Sequence, residues 1–424
     1  MTQNYFPRWK VKTEGTIAPD ETLPLGQTLA MGIQHVVIMF GSTVLAPLIM
    51  GLDPNVAIFM SGVGTLLFFL IVGGRVPSYL GSSFAFIGVV IAATGYAGTG
   101  LNPNIPIAMG GVIACGVVYA LVGLIVMWTG VGWIERLMPP VVTGAIVMTI
   151  GLNLAPVAVK GMGATNFEQW YAAVAVLIMG FVAVYLRGFL QKLLILVGIV
   201  IAYILYWLLT NVMALGKPID FQPLINASWV GVPNFSAPVF QPEAMILIVP
   251  VVVILIAENL GHIKAVNVMT HRNLDPYIGD GLATILAGFV GGPGVTTYGE
   301  NIGVMAATRV YSTLIFPVAG CFAILLSFSP KFGALIQTIP GPLLGAVSVI
   351  VFGFIAAAGV RIMIENQIDL ASSKNLIVTA VTLIIGAGDF SLKIGGFGLG
   401  GIGTATIAAI LLNLIMEDKK LKKE

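Results

Sequence analysis

Thr296-Thr297-Tyr298-Gly299-Glu300-Asn301-Ile302-Gly303-Val304-Met305-Ala306-Ala307-Thr308-Arg309 sets one carboxylate, Glu300, among glycines and beside an asparagine. The chain around it avoids charge. Only 9% of the 424 residues are charged, against roughly 25% in an ordinary soluble domain. Hydrophobic residues make up 58%, and the mean hydropathy is +1.00. Most of this surface must therefore meet lipid. An ionisable group at membrane depth is costly and by default marks a pathway or a binding site, so these residues describe a carrier.

Working outward, apolar stretches recur that are too long and too many for soluble core helices, because crossing the hydrocarbon layer takes about 20 residues. They run over 28–48, 54–73, 105–128, 141–156, 169–186, 190–212, 244–262, 311–328, 340–360, 375–388 and 400–416. Shorter, glycine-interrupted stretches at 82–98, 278–292 and 294–308 fit half-helices. The expected fold is an all-α polytopic membrane protein of fourteen transmembrane segments. Pro139-Pro140 should delay the start of the fifth. Cys115 and Cys321 lie in apolar stretches without ligand-type neighbours and read as small buried hydrophobes. The first residues lack a basic–apolar–small pattern, so no cleaved signal is expected. The 20 basic residues are dispersed and nearly balanced by 18 acidic ones, which removes nucleic acid as a partner.

Fourteen segments with both ends on one side divide the cations unevenly. One set of loops takes Arg8, Lys10, Lys12, Arg75, Arg136, Arg187, Lys192, Lys264, Arg272, Arg309, Arg361, Lys374 and the tail lysines 419, 420, 422 and 423. The other takes only Lys160, Lys217, Lys331 and Lys393. Sixteen against four is a strong positive-inside bias. Both termini are expected in the cytoplasm, and the protein in the cell (inner) membrane.

The opening stretch has an echo. Ser82-Ser83-Phe84-Ala85-Phe86-Ile87-Gly88-Val89 matches Thr296-Thr297-Tyr298-Gly299-Glu300-Asn301-Ile302-Gly303-Val304 in order, as two hydroxyls, an aromatic, a small residue, then Ile-Gly-Val. Met138-Pro139 with Gly144-Ala145-Ile146 likewise echoes Ile339-Pro340 with Gly345-Ala346-Val347. The copies lie 214 and 201 residues apart, counting Ser82 to Thr296 and Met138 to Ile339. A repeat of seven segments is odd, so the second copy enters the membrane upside down. Inverted repeats are typical of secondary transporters, with the site near the midplane where broken helices meet. Two short antiparallel strands, 80–84 and 294–298, are expected before half-helices 3 and 10. Extended backbone at that depth requires hydrogen-bonded pairing inside protein.

Few groups inside the spans titrate. Glu258 and His262 stand four apart on one helical face, Glu300 opens the tenth segment, and Gln34-His35 sits in the first. These lack zinc or iron ligand spacing, so no metal and no cofactor is expected. Ionised carboxylates only accept hydrogen bonds, while the first amides of a half-helix are orphan donors. Together they suit a flat molecule alternating N–H and C=O, such as uracil. Phe84 and Tyr298 precede the half-helices and can supply a ring face. His35 reads equally well as a packing device or as a proton relay. Linker 216–241 carries no catalytic signature, and no nucleophile–base motif appears, so no enzyme is expected.

Gln34-His35, Tyr79 to Phe86, Glu258-Asn259-Leu260-Gly261-His262 and Glu300-Asn301-Ile302-Gly303 through Thr308-Arg309 together resemble the nucleobase–ascorbate transporter family (nucleobase:cation symporter family 2), in its bacterial uracil permease branch. The resemblance covers nearly the whole chain. It implies a seven-plus-seven inverted repeat, with a core (1–130 and 244–329) moving against a gate (131–243 and 330–424). It implies that Glu258, Glu300, Tyr298 and the backbone at Phe84 and Gly299 bind the base. His262, Glu258, Gln34, His35, Ser83 and Asn301 would form a surrounding shell that couples a proton. The purine branch usually has glutamine where Glu300 stands, so the acid argues for uracil over xanthine or urate. Two acids facing the site also disfavour an anionic cargo. A passive channel would need a continuous polar lining, which is missing. The resemblance also implies a homodimer through the gate.

Overall fold

The computed structural model describes residues 5–96, 100–187, 193–272, 277–394 and 397–416. Lys192 and lysines 419, 420, 422 and 423, used above for orientation, lie outside the described residues. Each of the fourteen apolar stretches carries a helix: α1 (Leu25–Met50), α2 (Pro54–Ile71), α3 (Phe86–Thr94), α4 (Ile105–Thr129), α5 (Pro140–Asn153), α6 (Asn166–Tyr185), α7 (Leu194–Trp207), α8 (Val251–Thr270), α9 (Tyr277–Phe289), α10 (Gly299–Thr308), α11 (Ile315–Ser327), α12 (Gly341–Glu365), α13 (Ser373–Ala387) and α14 (Gly401–Ile415). Eight helical spans are long and apolar enough to cross a bilayer, and α11 with the following helix Pro330–Gln337, bent by 81°, makes a ninth. The other five, α3, α9, α10, α13 and α14, run 9 to 15 residues. Of the fourteen expected segments, three of them expected as half-helices, the described residues thus give these long helices and five shorter ones.

Local chemistry sets the helix ends. Pro139 is extended and α5 begins at Pro140, because proline lacks the N–H that an earlier turn would need. Asp53 caps α2, its side chain accepting from the Asn55 amide at 2.8 Å. Thr165 and Glu168 close a reciprocal capping box on α6, satisfying two orphan amides.

The packing repeats with a shift of seven. Helix α4 packs on α9 and α11 on α2; α1 packs on α11 and α8 on α4; α5 packs on α13 and α12 on α6. The pair α5–α12 maps onto itself. Close approach there rests on glycine: a Cβ on Gly359 would lie 2.5 Å from the Gly144 carbonyl oxygen. Loops expected on one side meet one another. Tyr5 donates to the Leu70 carbonyl, Asp20 pairs with Arg272, and Glu135 with Lys264. On the other side the Lys331 amide donates to the Ser228 carbonyl, and Val239 to that of Pro106.

Between the halves, β3 (Leu80–Ser82) and β4 (Val295–Thr297) pair antiparallel, all six residues buried. Tyr298 N–H to the Tyr79 carbonyl and Ser83 N–H to that of Gly294, both 3.0 Å, extend the ladder at each end. Two equivalent threonines hold the strands. The Thr65 hydroxyl of α2 accepts from the Leu80 amide at 2.9 Å; that of Thr284, on α9, accepts from the Val295 amide at 3.2 Å and donates to its carbonyl at 3.0 Å. Strands β1 (Lys10–Val11) and β2 (Glu21–Thr22), and β5 (Leu392–Ile394) and β6 (Phe397–Leu399), were not anticipated. Cys115 is buried as expected, but Cys321 is exposed; its position on α11 turns outward, where lipid accepts a small apolar group as readily as the core does.

The strand clamps generate a stability prediction. Thr284→Val keeps the shape but strands a buried amide and carbonyl, at about 1–3 kcal/mol for each group left unsatisfied. The melting temperature in detergent should fall clearly for Thr284→Val. It should hardly change for Thr406→Val, because the buried Thr406 hydroxyl has no partner among the described residues. Equal melting of the two variants would count against the clamp.

Candidate functional site

The strand crossing brings the two half-helix starts and α8 together. Helix α10 opens at Gly299 with Glu300 in its first turn, where a carboxylate meets the positive end of the helix. The Ser42 hydroxyl of α1 donates to Glu300 Oε1. Glu258, two turns into α8, accepts from the Ser83 hydroxyl just beyond β3 at 3.3 Å. Each carboxylate is thus held by a serine from the other half of the chain. Glu258, His262, Gly299 and Glu300 stay partly accessible while Ser83, Thr297 and Asn301 around them are buried. Two acceptors with accessible surface thus sit among otherwise buried polar groups.

His262 is fixed from two sides. Its Nδ1 lies 2.9 Å from the Thr297 hydroxyl of β4. A Cβ on Gly299 would come within 3.1 Å of its Nε2, so the imidazole rests against bare backbone. Phe84, half-buried, stands just before α3 and packs against the main hydrophobic core.

Other expected residues serve the wall. The Tyr298 ring is buried over Gly81, where a Cβ would meet it at 2.4 Å. Its hydroxyl donates to the Ser82 carbonyl at 3.0 Å and lies 3.1 Å from the Thr43 hydroxyl, which donates to it. The ring is therefore a brace for the strand crossing. Asn301 donates to the His35 carbonyl at 3.2 Å and faces His35 Nδ1 at 2.9 Å, with the imidazole against Phe316. That arrangement ties α10 to α1 and favours the packing role for His35. Gln34, half-buried on α1, makes none of these contacts.

Ser42 and Thr43 escaped the sequence reading, since a hydroxyl in an apolar helix carries no pattern, and Thr297 was read there only as part of the strand. Asp280 escaped it too, although a carboxylate inside the ninth stretch falls under the rule that singled out Glu258. It is fully buried on α9, and the Tyr119 hydroxyl lies 3.5 Å from its Oδ2 and 3.4 Å from the Leu255 carbonyl. No group of three or more His, Cys, Asp or Glu residues able to hold a metal occurs among the described residues.

A family model described as a permease family matches residues 26–394. The chain is 62% identical over 423 residues to an Escherichia coli K12 protein named "Putative pyrimidine permease RutG", covering 98% of this chain and 96% of that one. It is 40% identical to the uracil permease of Escherichia coli K12, covering 96% and 95%. Two solved structures share the fold. The transmembrane domain of the cyanobacterial bicarbonate transporter BicA gives a TM-score of 0.61 at 16% identity, covering 92% of this chain and 97% of that one. The murine anion transporter Slc26a9 in the inward-facing state gives 0.66 at 10% identity, covering 92% and 68%. The fold is thus that of the inverted-repeat membrane transporters. With the family model spanning most of the chain and full-length relatives well above 30% identity, the chain belongs to the nucleobase–ascorbate transporter family, as a multi-pass membrane transporter and not an enzyme.

Proposed function

We propose that this protein imports uracil by proton symport, the core carrying the base past the gate. The observation that carries the reading is the pair of carboxylates, Glu258 and Glu300, each held by one serine from the other half of the chain and each keeping some accessible surface. Uracil offers two ring N–H donors to such acceptors, and its carbonyls match the orphan amides at the starts of α3 and α10, near Phe84 and Gly299. The uracil permeases among the relatives support this cargo. His262 lies against the Gly299 backbone and one helical turn from Glu258.

Helices α1–α4 and α8–α11 pack chiefly among themselves, as do α5–α7 and α12–α14, which supports the core (1–130, 244–329) and gate (131–243, 330–424) as moving units. The helix Pro330–Gln337 packs on α2, so the second boundary is better drawn after Gln337. The cation count supports cytoplasmic termini and an inner-membrane location. Exposed apolar residues on the gate, among them Leu177, Phe181 and Ile384, suit lipid or a second copy.

Burial disfavours a charged carboxylate, so a proton on Glu258 lowers the cost of carrying the loaded core through its closed intermediate. The inward proton gradient then favours uptake.

Three outcomes test this reading. Glu300→Gln puts donors where the ring N–H needs an acceptor. Losing a charge-assisted hydrogen bond costs about 1.5–3 kcal/mol, so uracil affinity in purified protein should drop roughly ten- to a hundred-fold; a change below two-fold would exclude contact with Glu300. Gly299→Val drives a branched side chain into the His262 imidazole and should abolish binding while the protein stays folded, whereas normal uptake would put the ligand elsewhere. In proteoliposomes, uphill uptake should need acid outside, collapse with a protonophore and run without sodium. Glu258→Gln should at most exchange uracil passively, and concentrative uptake by that variant would overturn proton coupling through Glu258.

A further inference from the structure

The three helices that carry the polar groups of the site, α1, α8 and α10, each touch the gate again toward the basic loops. On α1, Ile38 stands one turn from Ser42, and on α10, Val304 stands one turn from Glu300. Both steps run toward the face where α10 ends before Arg309 and α7 begins after Arg187. There Ile38 and Val304 meet α7. With Leu193, the residue before that helix, they form one buried apolar cluster, and Val37 and Val197 pack around it. Gly41 permits the approach, since a Cβ there would come within 3.0 Å of the Ile195 side chain.

On α8, Lys264 lies six residues past Glu258, about 9 Å along the axis. Its ammonium pairs with Glu135 at 2.8 Å. Glu135 belongs to the short helix Gly132–Leu137, which packs on α14 of the gate. Core and gate are therefore bridged a second time, on a different helix from the apolar cluster. The two bridges differ in kind. The cluster is buried and excludes water, whereas the paired side chains of Lys264 and Glu135 are 65% and 45% exposed. Such a pair is weak and screened by salt, which suits a contact that breaks and reforms.

On the opposite face there is room where these contacts would be. A cavity of about 640 Å³ lies between core and gate, lined among others by Leu48, Ile91 and Tyr96 of the core and by Lys160, Gly341 and Leu344 of the gate. Contact on one face and space on the other is the asymmetry of a transporter whose two units rock around a fixed site.

We propose that the Ile38–Val304–Leu193 cluster and the Lys264–Glu135 pair are a latch on the basic face, which holds core to gate and must part for cargo to leave on that side. This latch presupposes that core and gate move as proposed above, whereas its test needs no cargo.

The test follows Leu193→Cys in the full chain, with Cys321→Ser removing the exposed thiol and the buried Cys115 left in place. In detergent, a water-soluble maleimide should modify Leu193→Cys roughly ten-fold or more slowly than in the same chain unfolded by SDS, because only the opened state reacts. Glu135→Lys and Lys264→Glu each replace attraction by repulsion and should speed labelling roughly three- to ten-fold. Exchanging the charges, Glu135→Lys together with Lys264→Glu, should return it to the parental rate, all at an unchanged melting temperature. The pair sits on another helix, so only separation of core from gate connects it to Leu193. Labelling as fast as in the unfolded chain overturns the proposal, as do single reversals without effect or a speed-up that the exchange fails to undo. Should one reversal melt early, the other and the exchanged pair decide. Labelling governed by the pair in a protein that takes up no uracil would overturn the cargo reading alone; intact uracil uptake with labelling blind to the pair would overturn the latch alone.

Discussion

Everything in this molecule depends on the hydrogen-bonded crossing of two three-residue strands in the middle of an apolar protein. Inside a membrane each unpaired backbone amide or carbonyl costs several kcal/mol, so an extended segment survives only where every group is matched. Here β3 and β4 match each other, and Thr65 and Thr284 clamp what the ladder leaves over. The crossing joins residue 80 to residue 297, so neither half can form it alone. It also gives the candidate site two sides, because the chain leaving each strand soon starts a short helix.

From that crossing follows the division of labour among polar side chains. Those that face inward are braces: Tyr298 hung between Ser82 and Thr43, and Asn301 holding His35. Those that keep an open face are Glu258, Glu300 and His262, and each is oriented by one hydroxyl from another element. Each carboxylate keeps further acceptor capacity once its serine is bound, since two oxygens offer about four lone-pair sites. Adjacent aromatics and acids in the sequence thus end in opposite roles. Tyr298 and Glu300 are two residues apart, yet one belongs to the wall and the other to the opening, because the strand ends and the helix begins between them.

The N-terminal stretch obeys the same economy of contacts. Its backbone pairs with the loop after α10 and its aromatic rings cover the turn after α2.

Much of the architecture was legible because membrane burial leaves a one-dimensional trace. Fourteen apolar stretches, the echo of 82–89 in 296–304 and the lopsided cation count are all visible without coordinates, and carboxylates at 258 and 300 stand out since charge in lipid is so costly. Sequence also announced the strands, through paired hydroxyls and glycine where helix formers were expected. What it could not announce was reach. Whether Tyr298 turned its ring to the ligand or to Gly81, which serine held which acid, and that Asp280 would meet Tyr119 from the fourth helix were decided by contacts between residues up to 258 positions apart. Helix length was settled in space as well: α3 and α10 stop after 9 and 10 residues, since the strands preceding them already occupy the depth that a full helix would fill. Periodicity and hydropathy report how a segment meets its solvent. Only tertiary structure selects, among several hydroxyls and carboxylates of similar chemistry, the pairs that come within hydrogen-bond distance.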